Sequence, residues 1–195
     1  MRDGEYADSE IVKLKRWHSG LLWHFDLEVD TVYIQKEQIR FAYRELFEGN
    51  ARMLLPDHFK QMKKELVQLR YLSEYRPHLI LAGKDPTVNI GLSLIARNER
   101  DLHEAVLTMR DSVRQTTPES VFYENGNISA RNAEGSWFEY KSFTITDEAY
   151  NLQFLLGTEQ TIMVGVFNCC IRYFDEWKPF IIKALEYTEI FDRRA

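Results

Sequence analysis

The sequence predicts an α+β fold in which an antiparallel β-sheet is sandwiched between helices. Alternation of apolar and polar residues recurs along the chain, which is typical of half-buried strands. Residues 120–168 show strand patterns separated only by turn signals, which indicates a β meander of antiparallel neighbours. Two apolar stripes at helical spacing lie before and after this meander. Helices that pack on an antiparallel sheet form an α+β domain.

The N-terminal part predicts strands. Alternation over Leu21–Val29 and again over Ile39–Arg44 predicts two of them, and a turn at Glu48–Asn50 leads to a third at Arg52–Leu55. We interpret residues 1–38 as an extension that adds a strand, and residues 39–195 as the main part of a single compact domain. The same 21–29 segment could pair edge to edge with a second copy, which predicts a homodimer through N-terminal strands.

The next segment mixes helix and strand signals. Asp57 after Pro56 is a candidate N-cap, and Phe59, Met62, Leu66 and Leu69 predict one broken helix or two short ones. Arg76 precedes Pro77 and is therefore expected in an extended segment that leads into a strand at 78–81. The Lys84–Pro86 turn signal introduces another strand, at 87–96.

The two clearest helices follow from their apolar stripes. Asn98, with Asp101 three residues later, is expected to cap the first. Asn125-Gly126 predicts a tight turn within the meander, and strands are expected at 137–145, 150–156 and 161–167. The last helix is expected to start near Asp175. The stripes are Leu102, Ala105, Val106, Met109 and Val113 in the first helix, and Trp177, Phe180, Ile181, Ala184, Leu185 and Thr188 in the last.

Charge and composition exclude some classes of function. The net charge of −5 and the lack of a long basic stretch argue against nucleic-acid binding. The longest apolar runs have the length of strands, so no membrane span is expected. The polar start of the chain shows no secretion signal, which predicts a cytoplasmic protein. Adjacent Cys169 and Cys170 fit a reduced pair in that compartment.

Candidate catalytic and metal sites are weak. The five histidines and two cysteines lack metal-ligand spacing, so no metal or cofactor is predicted. Cys169 and Cys170 end a predicted core strand, where two buried small apolar residues are favoured over a nucleophile or redox sensor. No nucleophile, base and orienting group occur in a recognisable order, so no catalytic residue is predicted.

Polar and aromatic residues on adjacent predicted strands form the most interesting candidate site. If the strand registers match, Asn151 and Asn168 share a face near Trp137 or Tyr140, which would suit ligand or peptide recognition. Internal hydrogen bonds that end strands are the alternative, and the favoured one. Arg76 could bind a carboxylate or phosphate, or pair with Glu74 or a carboxylate of the sheet.

Six sequence pieces carry a family resemblance by their content and order: Ser73–Pro77, Thr87–Gly91, Trp137–Lys141, Tyr150-Asn151, Phe167–Cys169 and Glu176–Pro179. Together they resemble the PsbP-like superfamily, and within it an uncharacterised bacterial branch. The superfamily also includes an extrinsic photosystem subunit and a Ran-binding nuclear transport factor. The resemblance implies an antiparallel sheet between helices, and no common catalytic residues.

These observations favour a non-enzymatic binding or accessory protein that contacts an unidentified protein partner through a sheet face or edge. The alternative is a small-molecule-binding protein or enzyme with a pocket near Trp137, Tyr140, Asn151 and Asn168.

Overall fold

The computed structural model describes residues 26–71, 76–97, 101–143 and 147–192. Within these ranges the chain has an α+β fold, with two antiparallel sheets and three α-helices. The strands are β1 (Thr31–Ile34), β2 (Glu37–Leu46), β3 (Ala51–Pro56), β4 (Lys60–Gln61), β5 (Leu79–Ala82), β6 (Asn89–Ala96), β7 (Val121–Ser129), β8 (Glu134–Phe143), β9 (Glu148–Gly157), β10 (Thr161–Cys170) and β11 (Glu189–Ile190). The helices are α1 (Lys64–Arg70), α2 (Leu102–Thr116) and α3 (Phe174–Glu186), and a 3₁₀ turn at Ile171–Tyr173 precedes α3.

The larger sheet has seven strands in the order β4-β5-β6-β10-β9-β8-β7. The predicted meander forms its second half, because β7 pairs with β8, β8 with β9, and β9 with β10. Short connections between such strands make antiparallel pairing the simplest arrangement. Strand β6 pairs with β10, although α2 and strands β7 to β9 lie between them in the chain. This pairing places β10 at the middle of the sheet.

A second, four-stranded sheet has the order β1-β2-β3-β11. The sequence predicted one sheet, and the difference arises because β3 pairs with β2 and β11 rather than with a strand of the larger sheet. Strand β11 follows α3 and pairs Glu189 with Arg52 of β3. Two residues carry no alternation, so this strand has no signal in the sequence. Strand β1 lies within the predicted 1–38 extension and pairs with β2, which begins at Glu37. The division of the chain at residue 38 stays a prediction.

Apolar side chains form two main clusters, one on each face of the larger sheet. Successive residues of a strand therefore belong to different clusters. Along β8, Trp137 belongs to the large cluster with α3 and the small sheet, whereas Phe138 and Tyr140 belong to the cluster with α2. We call these two sides the α3 face and the α2 face. Both predicted helical stripes are confirmed as packing surfaces, since Val106 of α2 and Trp177 of α3 are buried in their clusters.

The predicted strand at Leu21–Val29 is wrong where it can be compared. Residues 21–25 lie outside the described residues, and Leu27–Val29 form a turn. The Asp26 carbonyl accepts from the Asp30 amide at 2.8 Å, and the Asp26 carboxylate accepts from the Glu28 amide at 2.9 Å. An aspartate that bonds to amides ahead of it competes with strand formation, which the alternation did not reveal.

The predicted helix from Asp57 is also wrong. Phe59 and Met62 are buried, but they flank the short strand β4, and the Met62 amide donates to Ile80 of β5 at 2.8 Å. The helix starts only at Lys64, and its Leu69 is 72% exposed. Tertiary pairing with β5 therefore overrides the helical spacing of these apolar residues.

Two turn and cap predictions differ as well. Asp101, rather than Asn98, caps α2 by accepting from the His103 amide at 2.8 Å, and Asn98 lies outside the described residues. Asn125 and Gly126 lie inside β7, which continues past an irregularity between Phe122 and Asn125. The hairpin turn instead lies at 130–133, where the Ala130 amide donates to the Ala133 carbonyl at 2.8 Å. Pairing with β8 therefore holds the Asn-Gly dipeptide in an extended strand.

Candidate functional site

The larger sheet carries a row of polar side chains across four strands on its α2 face. Tyr140 of β8 pairs with Asn151 of β9, Asn151 with Asn168 of β10, and Asn168 with Asn89 of β6. Directly paired residues point to the same face, so the register brings three of the candidate residues together. Trp137 does not join them, because it lies on the α3 face.

The two predicted site asparagines of this row make internal hydrogen bonds. Asn151 Nδ2 donates to the Tyr140 carbonyl at 3.3 Å and to Ser142 Oγ at 2.9 Å. Asn168 Nδ2 donates to Asn89 Oδ1 at 2.9 Å. These bonds tie neighbouring strands together near one end of the sheet, as the favoured structural interpretation expects.

Two tyrosines, Tyr140 at one end of the row and Tyr71 beside Asn89, stay protonated at neutral pH. Burial raises the pKa of Tyr71 and of Tyr140 to about 12 in each case. The Tyr71 hydroxyl donates to Asn89 Oδ1 at 2.7 Å, and the Tyr140 hydroxyl accepts from Gln153 Nε2 at 3.2 Å. Neutral phenols suit hydrogen-bonding roles, whereas proton transfer at pH 7 requires a pKa closer to that pH.

Asn89 is the central acceptor and donor of this network, so its loss is expected to be costly. We expect Asn89→Ala to lower the free energy of unfolding by about 1–3 kcal/mol, because Tyr71 and Asn168 lose their common acceptor in a buried position. Asn125→Ala, on the exposed strand β7, is the matched control, with a change within about 0.5 kcal/mol. Urea denaturation of both variants measures the difference, and equal stabilities would contradict the structural role of Asn89.

The opposite face holds an ionic cluster that the sequence analysis missed. Glu139 is only 1% exposed and lies on the α3 face. Its carboxylate accepts from Lys178 Nζ of α3 at 2.9 Å, from the Tyr150 hydroxyl at 2.5 Å and from the Glu124 amide at 3.2 Å. Lys178 also pairs with the Glu124 carboxylate at 2.6 Å and lies over the Trp137 ring.

One cation, Lys178, bonds to both carboxylates of this cluster, Glu124 and Glu139. Burial by itself would lower the pKa of Lys178, but its bonds to Glu124 and Glu139 raise it overall. Burial and the Glu139 charge raise the pKa of Tyr150, so the phenol donates and does not ionise. Because Glu139 of β8 accepts from Lys178 of α3, from the Tyr150 hydroxyl and from the Glu124 amide, the cluster is suited to joining α3 to the sheet. A signal was present, since the alternation of β8 places Glu139 on the same buried face as Trp137.

Arg76 and the cysteines lie apart from both groups. Arg76 is exposed, and no carboxylate among the described residues pairs with it. Glu74, its predicted partner, lies outside those residues. Pro77 packs over Gly91, where an added Cβ would lie 2.6 Å from Pro77 Cγ, so two of the resembling sequence pieces meet through packing.

Cys169 and Cys170 are both buried and neither forms a disulfide. Burial raises the pKa of Cys169, which disfavours the thiolate that a nucleophile needs. In the described part of the chain, no three His, Cys, Asp or Glu side chains come together as a metal site would require. None of the described helices has the length and apolarity to cross a bilayer. The cytoplasmic location stays a prediction.

A wide polar cleft of about 1340 Å³ lies at the other end of the larger sheet, beside the start of α2. Several of its polar groups bind one another. Arg97 donates to the Thr158 carbonyl at 2.6 Å, the Thr158 hydroxyl donates to Asp192 at 2.6 Å, and Asn132 donates to the Ile190 carbonyl at 2.8 Å. The bonds to Asp192 and Ile190 join the larger sheet to the chain at β11 of the small sheet.

Comparison with known proteins supports the fold. No family model and no curated protein sequence matches the chain. Its structure is similar to that of cyanobacterial PsbP (CyanoP) from Synechocystis sp. PCC 6803, with a TM-score of 0.57 and 7% identity over 77% of this chain and 92% of that one. It also aligns with LpqN of Mycobacterium tuberculosis, which is involved in cell envelope biogenesis, with a TM-score of 0.49 and 10% identity over 82% of this chain and 95% of that one. The likeness to PsbP confirms a PsbP-like α+β fold; the bacterial branch and the link to the Ran-binding factor stay predictions.

Proposed function

We propose that this chain is a non-enzymatic accessory protein that binds an extended segment of a partner protein along the outer edge of β7. The edge carries this proposal. Strand β7 is nine residues long and ends the larger sheet, and no described strand pairs with its outer side. An unpaired strand of this length offers a row of backbone donors and acceptors to another chain.

Exposed apolar side chains lie beside this edge. Val121, Tyr123 and Phe143 are 43%, 41% and 46% exposed. Tyr123 stacks on Phe174 at the start of α3, with ring centroids 6.2 Å apart, and Lys141 Nζ lies 4.7 Å from the centre of the Phe143 ring. Aromatic and aliphatic groups next to a free strand edge would supply pockets for alternate side chains of an added strand. We call Val121, Tyr123 and Phe143 the edge patch.

The arrangement of sheet and helices that we infer also favours partner binding at an edge of the sheet. With α2 and α3 in separate apolar clusters, the larger sheet is expected to be the middle layer of an α/β/α sandwich, and its faces are then covered. The opposite edge strand, β4, has only two residues. The outer edge strand of the small sheet, β1, has four. Strand β7 therefore offers the longest place for β-strand addition among the described residues.

The test introduces positive charge into the edge patch. We expect Val121→Lys combined with Tyr123→Lys to reduce capture of the partner from a native lysate by about tenfold or more, because lysine at an edge opposes strand addition. Tyr33→Lys, an exposed tyrosine on edge strand β1, is the matched control. Mass spectrometry quantifies the capture, and hydrogen exchange of the β7 amides reports where the partner binds. Thermal unfolding of each variant shows that the domain is intact.

Two results would overturn this proposal. One is a partner that folded wild-type and double-variant chains capture equally. The other is partner binding that leaves hydrogen exchange in β7 unchanged. Sedimentation of the wild type and the double variant shows whether the partner is a second copy. The predicted homodimer uses a strand at residues 21–29. Residues 27–29 form a turn instead, so pairing between two copies stays a prediction for residues 21–25 alone.

The four residues predicted to line a small-molecule pocket do not face one common cavity. Its four residues are divided between the two faces, and the side-chain amides of Asn151 and Asn168 donate within the chain. One neighbour of this group, Gln153, does line a cavity.

A further inference from the structure

Two arginines of α2 lie over an aromatic ring of the edge strand β7. Arg110 Cζ lies 5.4 Å and Arg114 Cζ 4.9 Å from the centre of the Phe122 ring. Phe122 is half-buried on the α2 face, where it pairs with Tyr140 of β8. Helix α2 packs on β8 and β9, and β7 lies beyond β8 at the end of the sheet. The two arginine side chains therefore extend from α2 towards the outer edge of the sheet.

The described part of the chain supplies these two guanidinium groups with one carboxylate. Arg114 Nη1 lies 3.7 Å from the carboxylate of Asp111 on the same helix, and the two side chains are 53% and 65% exposed. Arg110 forms no ion pair with a described residue, and neither does Glu119, which precedes β7. Glu124 of β7 pairs with α3 on the other face. An exposed pair at 3.7 Å is weak, so positive charge remains available beside Phe122.

The position over Phe122 prepares both arginines for a carboxylate. A guanidinium group that lies over an aromatic ring gains from the ring electrons and keeps its N–H groups for other acceptors. Arginine can bind a carboxylate through two parallel N–H···O bonds, which are stronger than bonds between neutral groups. Because the ring restricts the two side chains before binding, less conformational freedom is lost when an anion binds.

A strand added to the outer edge of β7 would bring one side chain to this arginine pair. The residue directly opposite Phe122 would point to the α2 face, with the two Cβ atoms about 4.5–5.5 Å apart. Its two neighbours in the added strand would point to the α3 face, because side chains alternate along a strand. On that face lie the exposed side chains of Val121 and Tyr123, with Tyr123 stacked on Phe174.

From this geometry we infer that the segment bound by β7 carries an aspartate or glutamate flanked on both sides by apolar residues, and that Arg110 and Arg114 bind its carboxylate beside Phe122. This inference rests on the proposed binding at the β7 edge and adds the chemistry of the partner segment to it. The same pattern sets the register of the added strand. A shift by one residue would move the carboxylate to the α3 face, against Val121 and Tyr123.

The experiment measures how three synthetic peptides bind to the full chain, by fluorescence anisotropy. Each peptide is Thr-Val-Thr-Val-X-Val-Thr-Val-Thr, where X is glutamate, glutamine or lysine, and carries a fluorophore on a short polyethylene glycol linker. We expect the glutamate peptide to bind about three- to tenfold more tightly than the glutamine peptide, and the lysine peptide to bind most weakly. The preference for glutamate should shrink as salt is raised from about 50 mM to about 500 mM.

Variants of the two arginines show whether they cause this preference. Arg110→Gln combined with Arg114→Gln should reduce the preference for glutamate over glutamine to about one and leave binding of the glutamine peptide within about twofold of the wild type. Arg110→Lys combined with Arg114→Lys keeps the charge and should restore part of the preference. Arg40→Gln combined with Arg44→Gln, on β2 of the small sheet, changes the net charge equally and should keep the wild-type preference. Thermal unfolding shows that each variant is folded.

Three results would overturn the inference. Equal binding of the glutamate and glutamine peptides, with hydrogen exchange slowed in β7, would leave strand addition in place and remove its selectivity for an acid. A preference for glutamate that the folded Arg110→Gln, Arg114→Gln chain retains would place the carboxylate elsewhere. Absence of binding by all three peptides would also reject it, while capture of a partner from lysate tests the β7 edge separately. Peptide binding that leaves β7 exchange unchanged would count against both proposals.

Discussion

Replacement of Lys178 by methionine is expected to lower the free energy of unfolding by about 3–5 kcal/mol, because it leaves the Glu139 carboxylate buried without its cation. The carboxylate is 1% exposed and cannot recover its hydration without opening the contact between α3 and the sheet. The Tyr150 and Glu124 bonds remain, but neither supplies a positive charge. Methionine retains most of the lysine stem, so the loss reports the charge.

The control is Lys183→Met on the same helix. Lys183 pairs with Glu186 at 2.6 Å on the partly exposed side of α3, and such a pair contributes about 0–1 kcal/mol. The double variant Glu139→Gln with Lys178→Met removes both charges and should recover part of the loss. Chemical denaturation of the wild type, of the two single lysine variants and of the double variant measures these differences in the free energy of unfolding. A Lys178→Met chain as stable as Lys183→Met would show that the buried pair does not hold α3 to the sheet.

Gly165→Ala is expected to cost about 3 kcal/mol or more, because the added methyl has no space. Gly165 lies in β10 and pairs directly with Phe154 of β9, whose ring covers it. An added Cβ would lie 2.0 Å from Phe154 Cζ, well inside van der Waals contact. Phe154 is fully buried among other core residues, so its ring cannot move aside without disturbing them.

A second substitution separates this steric effect from a general weakness of β10. Phe154→Leu alone should destabilise the protein by leaving a cavity, but combined with Gly165→Ala it should cost less than the sum of the two single changes. Thermal and urea unfolding of the three variants gives the interaction energy. Simple additivity would mean that the Phe154 ring does not fill the space above Gly165.

Both predictions concern stability, and the first of them concerns polar groups that serve the fold. Glu139, Lys178, Asn89, Asn151 and Asn168 make their hydrogen bonds within the chain. The outer edge of β7 has no strand partner among the described residues. Partner binding is therefore proposed where backbone pairing within the described sheet ends.

The sequence by itself determined those features that depend on neighbouring residues. The helical stripes of α2 and α3 and the order of strands β7 to β10 follow from local periodicity, and the structure confirms them. The burial of Cys169 and Cys170 follows from their place at the end of an apolar strand. Local patterns misled where a distant partner decided, as at Phe59 and Met62, where pairing with β5 replaced the predicted helix.

Tertiary structure alone decided which polar residues meet. Alternation places Glu139 on a buried face, but only the packing of α3 shows that Lys178, distant in the sequence, neutralises it. Strand register decides that Asn151 faces Asn168 while Trp137 faces the other way, because a shift by one residue reverses every side chain of a strand. Pairing with β3 adds β11, which follows α3 in the chain, to the second sheet. Each of these features arises from contacts between distant parts of the chain, which local periodicity does not specify.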